Sequence, residues 1–468
     1  MPDRPNFLIF MTEQHRGDCL GLDGHPCLLT PNMDGIGARG AHFRSTYSTC
    51  PTCIAARRSC LSGQFPSTHG MVGYHDGIEW NAPPTMPGTL REAGYQTVWI
   101  GRSMHQTPSR KRYGFDHLVQ HEEYFDWLEE HAPAGSGGRF EAGPMHNDWT
   151  ARPRHTEDRL HSTNWILNRA LQFLEKRDPS CPFFLVVSFL AAHPPLLPPE
   201  FYMNRYLEMD LPEPIIGDWE SEPPESWRTG GAGGQDVNLT GEEIRACRAG
   251  YYGMINHVDD QLRRILNPVQ GIDRMTEGNT VVMFTSDHGE MLGDHYRYHK
   301  IMPYEPAARI PLLMRAPRRF GIEAGTVRDE AVCLEDVMPT VLYMADVEIP
   351  DTVEGRSLLS LARDEDSEWR EFLPIEHSPR HQSLTDGREK FIWFTQDGRE
   401  QFFHLAEDPE ERHDLIDHPD WQDRIDLWRQ RLIEHLADRP EGFSDGEKLI
   451  PGQRHSALLP GCDSNVVA

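Results

Sequence analysis

Basic charge is what this chain has least of: 46 Lys+Arg stand against 73 Asp+Glu, a formal net charge of −27, and only five of the cations are lysines. That balance argues against a general nucleic-acid or anionic-membrane binder, whose footprint is basic. If the protein handles an anion, the positive charge that does so must be local. Long apolar runs are missing too. No run reaches the ~18 apolar residues of a membrane-spanning helix, and the apolar segment 7–11 is too brief for the h-region of a signal peptide. Cysteine is sparse and odd in number, nine in 468 residues, unlike the dense framework of a small secreted domain. These absences lead us to expect a soluble, cytoplasmic protein with mostly reduced thiols, in which the sequon at Asn238 means nothing. There is no internal repeat and no low-complexity tract.

What is present excludes disorder: 11 Trp, 13 Tyr and 20 Phe spread along the chain supply ample buriable surface. The length suits one large domain with an appendage, or two to three domains. Strand-like runs at 6–11, 97–100, 183–189 and 280–284 alternate with helix-like segments, the pattern of a mainly parallel sheet with helices on both faces. Each run ends in polar, charged residues. Ligands bind beyond the carboxyl ends of strands in such sheets, so Glu13, Arg102, His193, Asp287 and His288 are expected to converge. Apolar spacing predicts helices over 242–266 and 334–345. Two long irregular segments, 129–154 and 212–239, read as pocket rims or as surface insertions. Beyond residue 358 the composition turns acidic. Residues 390–394 and 401–404 read as neighbouring strands joined by a turn at Asp397-Gly398, and 421–436 as a closing helix. The expected organisation is an α/β catalytic domain (1–365), a C-terminal α+β subdomain (366–440) and an extended tail (441–468). Such a tail can pack on a neighbouring subunit, which would make a homo-oligomer.

The segment 50–70 is the most informative. Cys50 and Cys53, two residues apart, suit half a zinc site or a redox pair. No second pair with similar spacing completes a zinc site, and the redox reading stays open. Cys53 followed by Arg57 and Arg58 suggests a nucleophile at a helix start beside fixed positive charge, suited to an anionic substrate.

Cys53 and Arg57, followed by Leu61-Ser62-Gly63-Gln64-Phe65-Pro66 and His69-Gly70, resemble the signature of the sulfatase family, within the alkaline phosphatase superfamily. The resemblance extends over nearly the whole chain and implies an alkaline phosphatase-like fold: a large mixed, mostly parallel sheet flanked by helices. It implies that Cys53 is the nucleophile precursor, oxidised to formylglycine by a separate formylglycine-generating enzyme, with Arg57 as its partner. Ala55 departs from the pattern, which has proline there. Residues 5–18 resemble the family's opening strand, whose end carries metal ligands; Glu13 stands where Asp is usual, followed by Gln14. Residues 280–294 resemble the second metal segment, with Asp287 and with His288 where many members have Asn. The implied ion is one divalent metal, Ca2+ or Mn2+, held by Glu13, Gln14, Cys53, Asp287 and His288; an oxygen-only set favours calcium, whereas an imidazole admits manganese or zinc. Arg102 and His105 resemble a Lys-x-His element with the cation changed and one residue added. His193 and Lys300 fall in the segments that carry the family's second active-site His and second Lys.

In the implied mechanism, formylglycine is hydrated to a diol and one metal-bound hydroxyl attacks sulfur. Arg57, Arg102 and Lys300 hold the sulfonyl oxygens, His193 protonates the departing alcohol with Lys300 assisting, and His105 helps expel sulfate. Two alternatives are kept: a phosphonate monoester or phosphodiester hydrolase with the same nucleophile and metal, and an inactive binding protein in which Ala55 blocks maturation. Taken singly, each residue also has a plain reading, such as a solvated loop carboxylate for Glu13 or a surface cation for Lys300. Among the other histidines, His69 is expected to pack structurally, His257 to lie on the polar side of its helix, and His377 and His404 to be candidates for reaching the pocket. The substrate is a small-molecule sulfate ester whose alcohol the sequence does not name.

Overall fold

The strand Asn6–Thr12 is buried along nearly its whole length, because a parallel strand covered on both faces has no need of polar alternation. In the computed structural model, which describes residues 4–137, 149–224, 239–365 and 368–462, this strand lies between Phe183–Ser188 and Thr280–Ser286 and parallel to both. The eight-stranded order is His117–Gln120, Gln96–Gly101, Phe183–Ser188, Asn6–Thr12, Thr280–Ser286, Leu312–Arg315, Ala41–Phe43 and Thr326–Arg328. Leu312–Arg315 runs antiparallel to both its neighbours, so the sheet is mixed and mostly parallel, as expected. Leu8 and Phe10 face a core shared with helices Pro31–Ala38, Ser162–Lys176 and Glu242–Leu266. Phe7, Ile9 and Met11 face the opposite core, shared with Cys53–Ser62, Met86–Glu92 and Val337–Met344.

Glu242–Leu266 forms as its spacing predicts. One expectation within it is corrected: His257 is 2% exposed and packs against His161 and Asn164 rather than facing solvent, because Ser162–Lys176 and Glu200–Leu207 cover that side. The predicted 334–345 helix opens with a 3-10 turn, Leu334–Asp336, and continues as Val337–Met344.

The C-terminal region carries an antiparallel meander of Leu373–His377, His381–Thr385, Lys390–Phe394 and Glu400–Phe403. Helix Gln422–Leu436 covers it through Ile425, Trp428, Leu432 and Leu436. This sheet braces the segment that follows Lys300: the Lys390 ammonium donates to Pro303 O at 2.9 Å and to Glu305 and Glu411 at 2.8 Å. His381 Nε2 lies 2.8 Å from Ile301 O. The described part of the tail lies on its own chain: Val72 N–H donates to Ala457 O, and Leu458 pairs with Met71. Leu458 thereby joins Cys50, Ile54 and Ala55 in a small core behind the start of the Cys53 helix.

Glu335 is buried on the other side of that helix and receives a hydrogen bond from Thr49 Oγ1 at 2.5 Å. Burial pushes its carboxyl up to about 7. The folded state therefore binds this proton more tightly than the unfolded state, so its contribution to stability is complete below the ordinary carboxylate range and is lost as pH rises through about 7. The loss is on the order of 3 kcal/mol. Glu335→Gln is expected to narrow the difference in melting temperature between pH 5 and pH 8, measured by thermal denaturation; an unchanged difference would show that Glu335 titrates normally.

Candidate active site

Four adjacent parallel strands end on one edge of the sheet, and each delivers its polar residues there: Glu13 and Gln14 after Asn6–Thr12, Arg102 after Gln96–Gly101, His193 beyond Phe183–Ser188, Asp287 and His288 after Thr280–Ser286. Gly101 makes one of these exits possible. Its φ is +106°, and a Cβ there would meet Ser188 O at 1.9 Å, so only glycine fits. Gln14 sits in the left-handed region at φ 66°, held by Asp287 Oδ1 on its N–H at 3.1 Å and by Tyr251 Oη on its carbonyl at 2.7 Å.

Cys53 begins the helix Cys53–Ser62 and is 2% exposed. Its Sγ lies 3.3 Å from His288 Nε2. His288 Nδ1 is 3.0 Å from Gly289 O, so Nδ1 carries the proton and the Nε2 lone pair faces the sulfur. Burial depresses the basicity of His288 and pushes the Cys53 thiol up to about 12. The pair is a thiol beside a neutral imidazole, not an activated thiolate. Cys50 does not pair with Cys53.

Donor atoms of Cys53, Asp287 and His288 lie within 4.8 Å of one another, all buried. Glu13 stands beside this cluster and is turned toward the arginines. Its Oε2 accepts from Arg102 Nε at 2.8 Å and lies 3.9 Å from Arg57 Nη2, a reach that the additional methylene of Glu over Asp provides. Its Oε1 is buried with no hydrogen-bond partner. A buried carboxylate oxygen left without a donor is costly, and a cation beside Asp287 and the unprotonated Nε2 of His288 would satisfy it. The residues present therefore fit a divalent metal ion. Although burial opposes ionisation of Glu13, Arg102 above all, with Arg57 and Lys300, holds its carboxyl well below the usual range.

Arg57 follows Cys53 by one helical turn and is 1% exposed. Its Nε donates to Asp287 Oδ2 at 2.9 Å, and its Nη1 to Arg102 O and Ser188 Oγ. Arg102 Nη2 lies 2.5 Å from His105 Nε2, which makes that nitrogen an acceptor. Burial and then Arg102 depress the basicity of His105, while Asp76, 3.6 Å from its Nδ1, opposes them. Lys300 Nζ donates to Gln14 Oε1 at 3.0 Å and lies 3.2 Å from His193 Nε2. The other ring nitrogen of His193 is 2.6 Å from Pro194 O. Burial and the adjacent Lys300 hold His193 well below its usual basicity, so the imidazole is neutral and accepts from the ammonium.

Cys53, Arg102, His105, His193 and Lys300 all line one cavity of about 580 Å³. Glu13, Gln14, Arg57, Asp287 and His288 lie beneath its floor. Its wall is largely apolar, from Tyr74, Phe125, Leu190, Pro194, Pro195 and Ile301, with His121, Glu122, His299 and His377 among them. Of the two histidine candidates, His377 reaches the cavity, whereas His404 packs against Trp421. Among the described residues, neither irregular segment supplies the wall; 138–148 and 225–238, the latter with the whole glycine-rich run 230–234, lie outside the described residues. Sequence reasoning missed Tyr74, His121 and Phe125, which no local pattern marks, and Ser188, which holds Arg57.

Comparison with known proteins agrees with this geometry. The sulfatase family profile matches residues 5–347, and that of the N-sulphoglucosamine sulphohydrolase C-terminal region matches 293–438. The chain belongs to the sulfatase family. This sulfatase is 38% identical to an arylsulfatase of Clostridium perfringens, over 97% of its own length and 99% of that protein's. Two solved structures share the fold: the phosphonate monoester hydrolase of Agrobacterium radiobacter (TM-score 0.79, 23% identity, 93% of this chain and 96% of that one), and a protein in complex with its substrate D-glucosamine-2-N,6-O-disulfate (TM-score 0.74, 22% identity, 95% and 100%).

Proposed function

We propose that this sulfatase hydrolyses sulfate monoesters through a formylglycine made from Cys53 and one divalent metal ion. The observation that carries the reading is the placement of Cys53, first in its helix, against Asp287 and His288, with Arg57 one turn on, in a cavity that Arg102 and Lys300 also line. Formylglycine would supply a hydroxyl nucleophile, and a metal held by Glu13, Gln14, Asp287, His288 and the group at 53 would acidify it and screen the sulfonyl oxygens. An imidazole in the ligand set favours Mn2+ over Ca2+.

The remaining work falls to the protein's own groups. A sulfate ester repels a nucleophile and leaves poorly, so its charge must be screened and its departing oxygen protonated. Arg102 and Lys300 would screen charge from the cavity and Arg57 from below. The Lys300–His193 pair would hold the proton for the departing oxygen, and His105 would accept the proton released when sulfate is expelled. The apolar wall suits an aryl leaving group. We also propose a cytoplasmic location, which the free, buried thiols of Cys19, Cys50, Cys53, Cys60 and Cys333 support, and keep residues 1–365, 366–440 and 441–468 as the working division.

Relative turnover of an aryl sulfate and an aryl phosphonate monoester tests the reaction; preference for the phosphonate would overturn it. Peptide mass spectrometry after co-expression with a formylglycine-generating enzyme tests maturation, since unmodified cysteine with no hydrolysis would identify an inactive binding protein. His193→Ala is expected to slow an alkyl sulfate by about 10²–10⁴-fold and a nitrophenyl sulfate far less, because a good leaving group needs little protonation. Equal slowing of both esters would remove His193 from leaving-group protonation.

A further inference from the structure

Glu290 lies beside the site, 3% exposed, with no role in the reaction described above. Its Oε1 accepts from the backbone N–H of Leu292 at 3.0 Å and from that of His299. Its Oε2 accepts from the side-chain amide of Gln14. The same amide accepts from Lys300 Nζ through its oxygen. Two neighbours therefore fix which way round the amide stands: a carboxylate that takes three N–H groups is an acceptor, and an ammonium is only a donor. Nitrogen must face Glu290 and oxygen must face Lys300. Reversal would set the Gln14 NH2 against the Lys300 ammonium, donor to donor.

We propose that Glu290 is a positioning residue: it holds the Gln14 oxygen toward Lys300 and pins the backbone N–H of His299, immediately before Lys300. One buried carboxylate thereby sets both a candidate metal ligand and the ammonium that faces the substrate. The consequence for turnover rests on the sulfatase reading; the hydrogen-bond arrangement does not.

Three variants test this. Glu290→Gln keeps the shape but presents a donor to Gln14, which must flip or lose its partner. Gln14→Glu sets carboxylate against carboxylate. The double variant restores a donor–acceptor pair between the two positions and an oxygen toward Lys300. Each single variant is expected to lower aryl sulfate turnover by at least about tenfold, the size of one lost hydrogen bond to a charged group, and Glu290→Gln to lower the metal-to-protein ratio. The double variant is expected to be more active than either single variant. Its melting temperature after chelation should also exceed that of either. Glu290→Gln within about twofold of the parent, or a double variant whose rate and melting temperature are both additive, would overturn the proposal. If the parent hydrolyses no sulfate ester, the sulfatase reading fails, and non-additivity in melting temperature alone then decides for or against the Glu290–Gln14 arrangement.

Discussion

Cys53→Ala is expected to abolish sulfate ester hydrolysis, with a loss of about 10⁴–10⁶-fold, the range seen when a hydrolase loses its nucleophile. The side chain is small and the site already tightly enclosed, so the fold should survive: Cys53 is 2% exposed and its sulfur contacts His288 without a disulfide. The informative comparison is with Cys53→Ser. A thiol held up at about 12 by burial is almost wholly protonated at neutral pH, so an enzyme relying on an unmodified thiol would already be slow. Conversion to an aldehyde removes that obstacle, because the nucleophile then comes from water added at the carbonyl. In matured protein, the peptide spanning residue 53 should show the mass decrease that replaces CH2SH by CHO. Activity should track the converted fraction across preparations with different co-expression of the maturing enzyme. Full activity in a preparation that retains only cysteine would sink the formylglycine reading. Activity of Cys53→Ala within about tenfold of the parent would sink any role for this position as nucleophile.

Much of this site was legible because its residues follow strands whose apolar runs are unmistakable. Asn6–Thr12 and Thr280–Ser286 carry the unbroken apolar runs 7–11 and 281–284, so their ends were visible, and the rule that ligands gather at the carboxyl ends of parallel strands brought Glu13, Arg102, His193 and Asp287 together. Cys53 and Arg57 were legible for another reason, their spacing of one helical turn. The strands Leu373–His377 and His381–Thr385 were not legible. Both are buried throughout yet carry Pro374, Glu376, Gln382 and Ser383, so neither alternation nor an apolar run marks them. The cavity wall was equally hidden. Tyr74, Phe125, Leu190 and Ile301 meet only through the tertiary fold, and an apolar residue on a loop or helix flank carries no local sign that it faces a ligand. The direction of Glu13 shows a different limit. Its charge is plain from the residue type, but only the placement of Arg102 shows that one of its oxygens is engaged while the other has no hydrogen-bond partner.

Arg57→Ala is expected to be the most destabilising single change in the site as well as one of the most damaging to activity. The guanidinium joins three strand ends to the Cys53 helix: Asp287 through Nε, Arg102 O and Ser188 through Nη1. Removing it leaves the buried Asp287 carboxylate without its cation, and breaking a buried pair in this way costs about 3–5 kcal/mol. Its remaining nitrogen, Nη2, is buried without a hydrogen-bond partner and lies 3.9 Å from Glu13 Oε2, so it is left to stabilise charge that develops at the floor of the cavity. Loss of one such donor costs about 10²–10³-fold in turnover. Arg57→Lys separates the two effects. A lysine keeps the charge beside Asp287 but lacks the planar fork that holds Asp287, Arg102 O and Ser188 in this geometry. It should recover part of the melting temperature and little of the activity. A double variant combining Arg57→Ala with Asp287→Asn should lose less stability than the two single changes added together, by about 0.5–3 kcal/mol, since the two residues share one interaction. Additive losses would mean that the Arg57–Asp287 contact contributes nothing, and an Arg57→Lys enzyme as active as the parent would remove the guanidinium fork from the reaction.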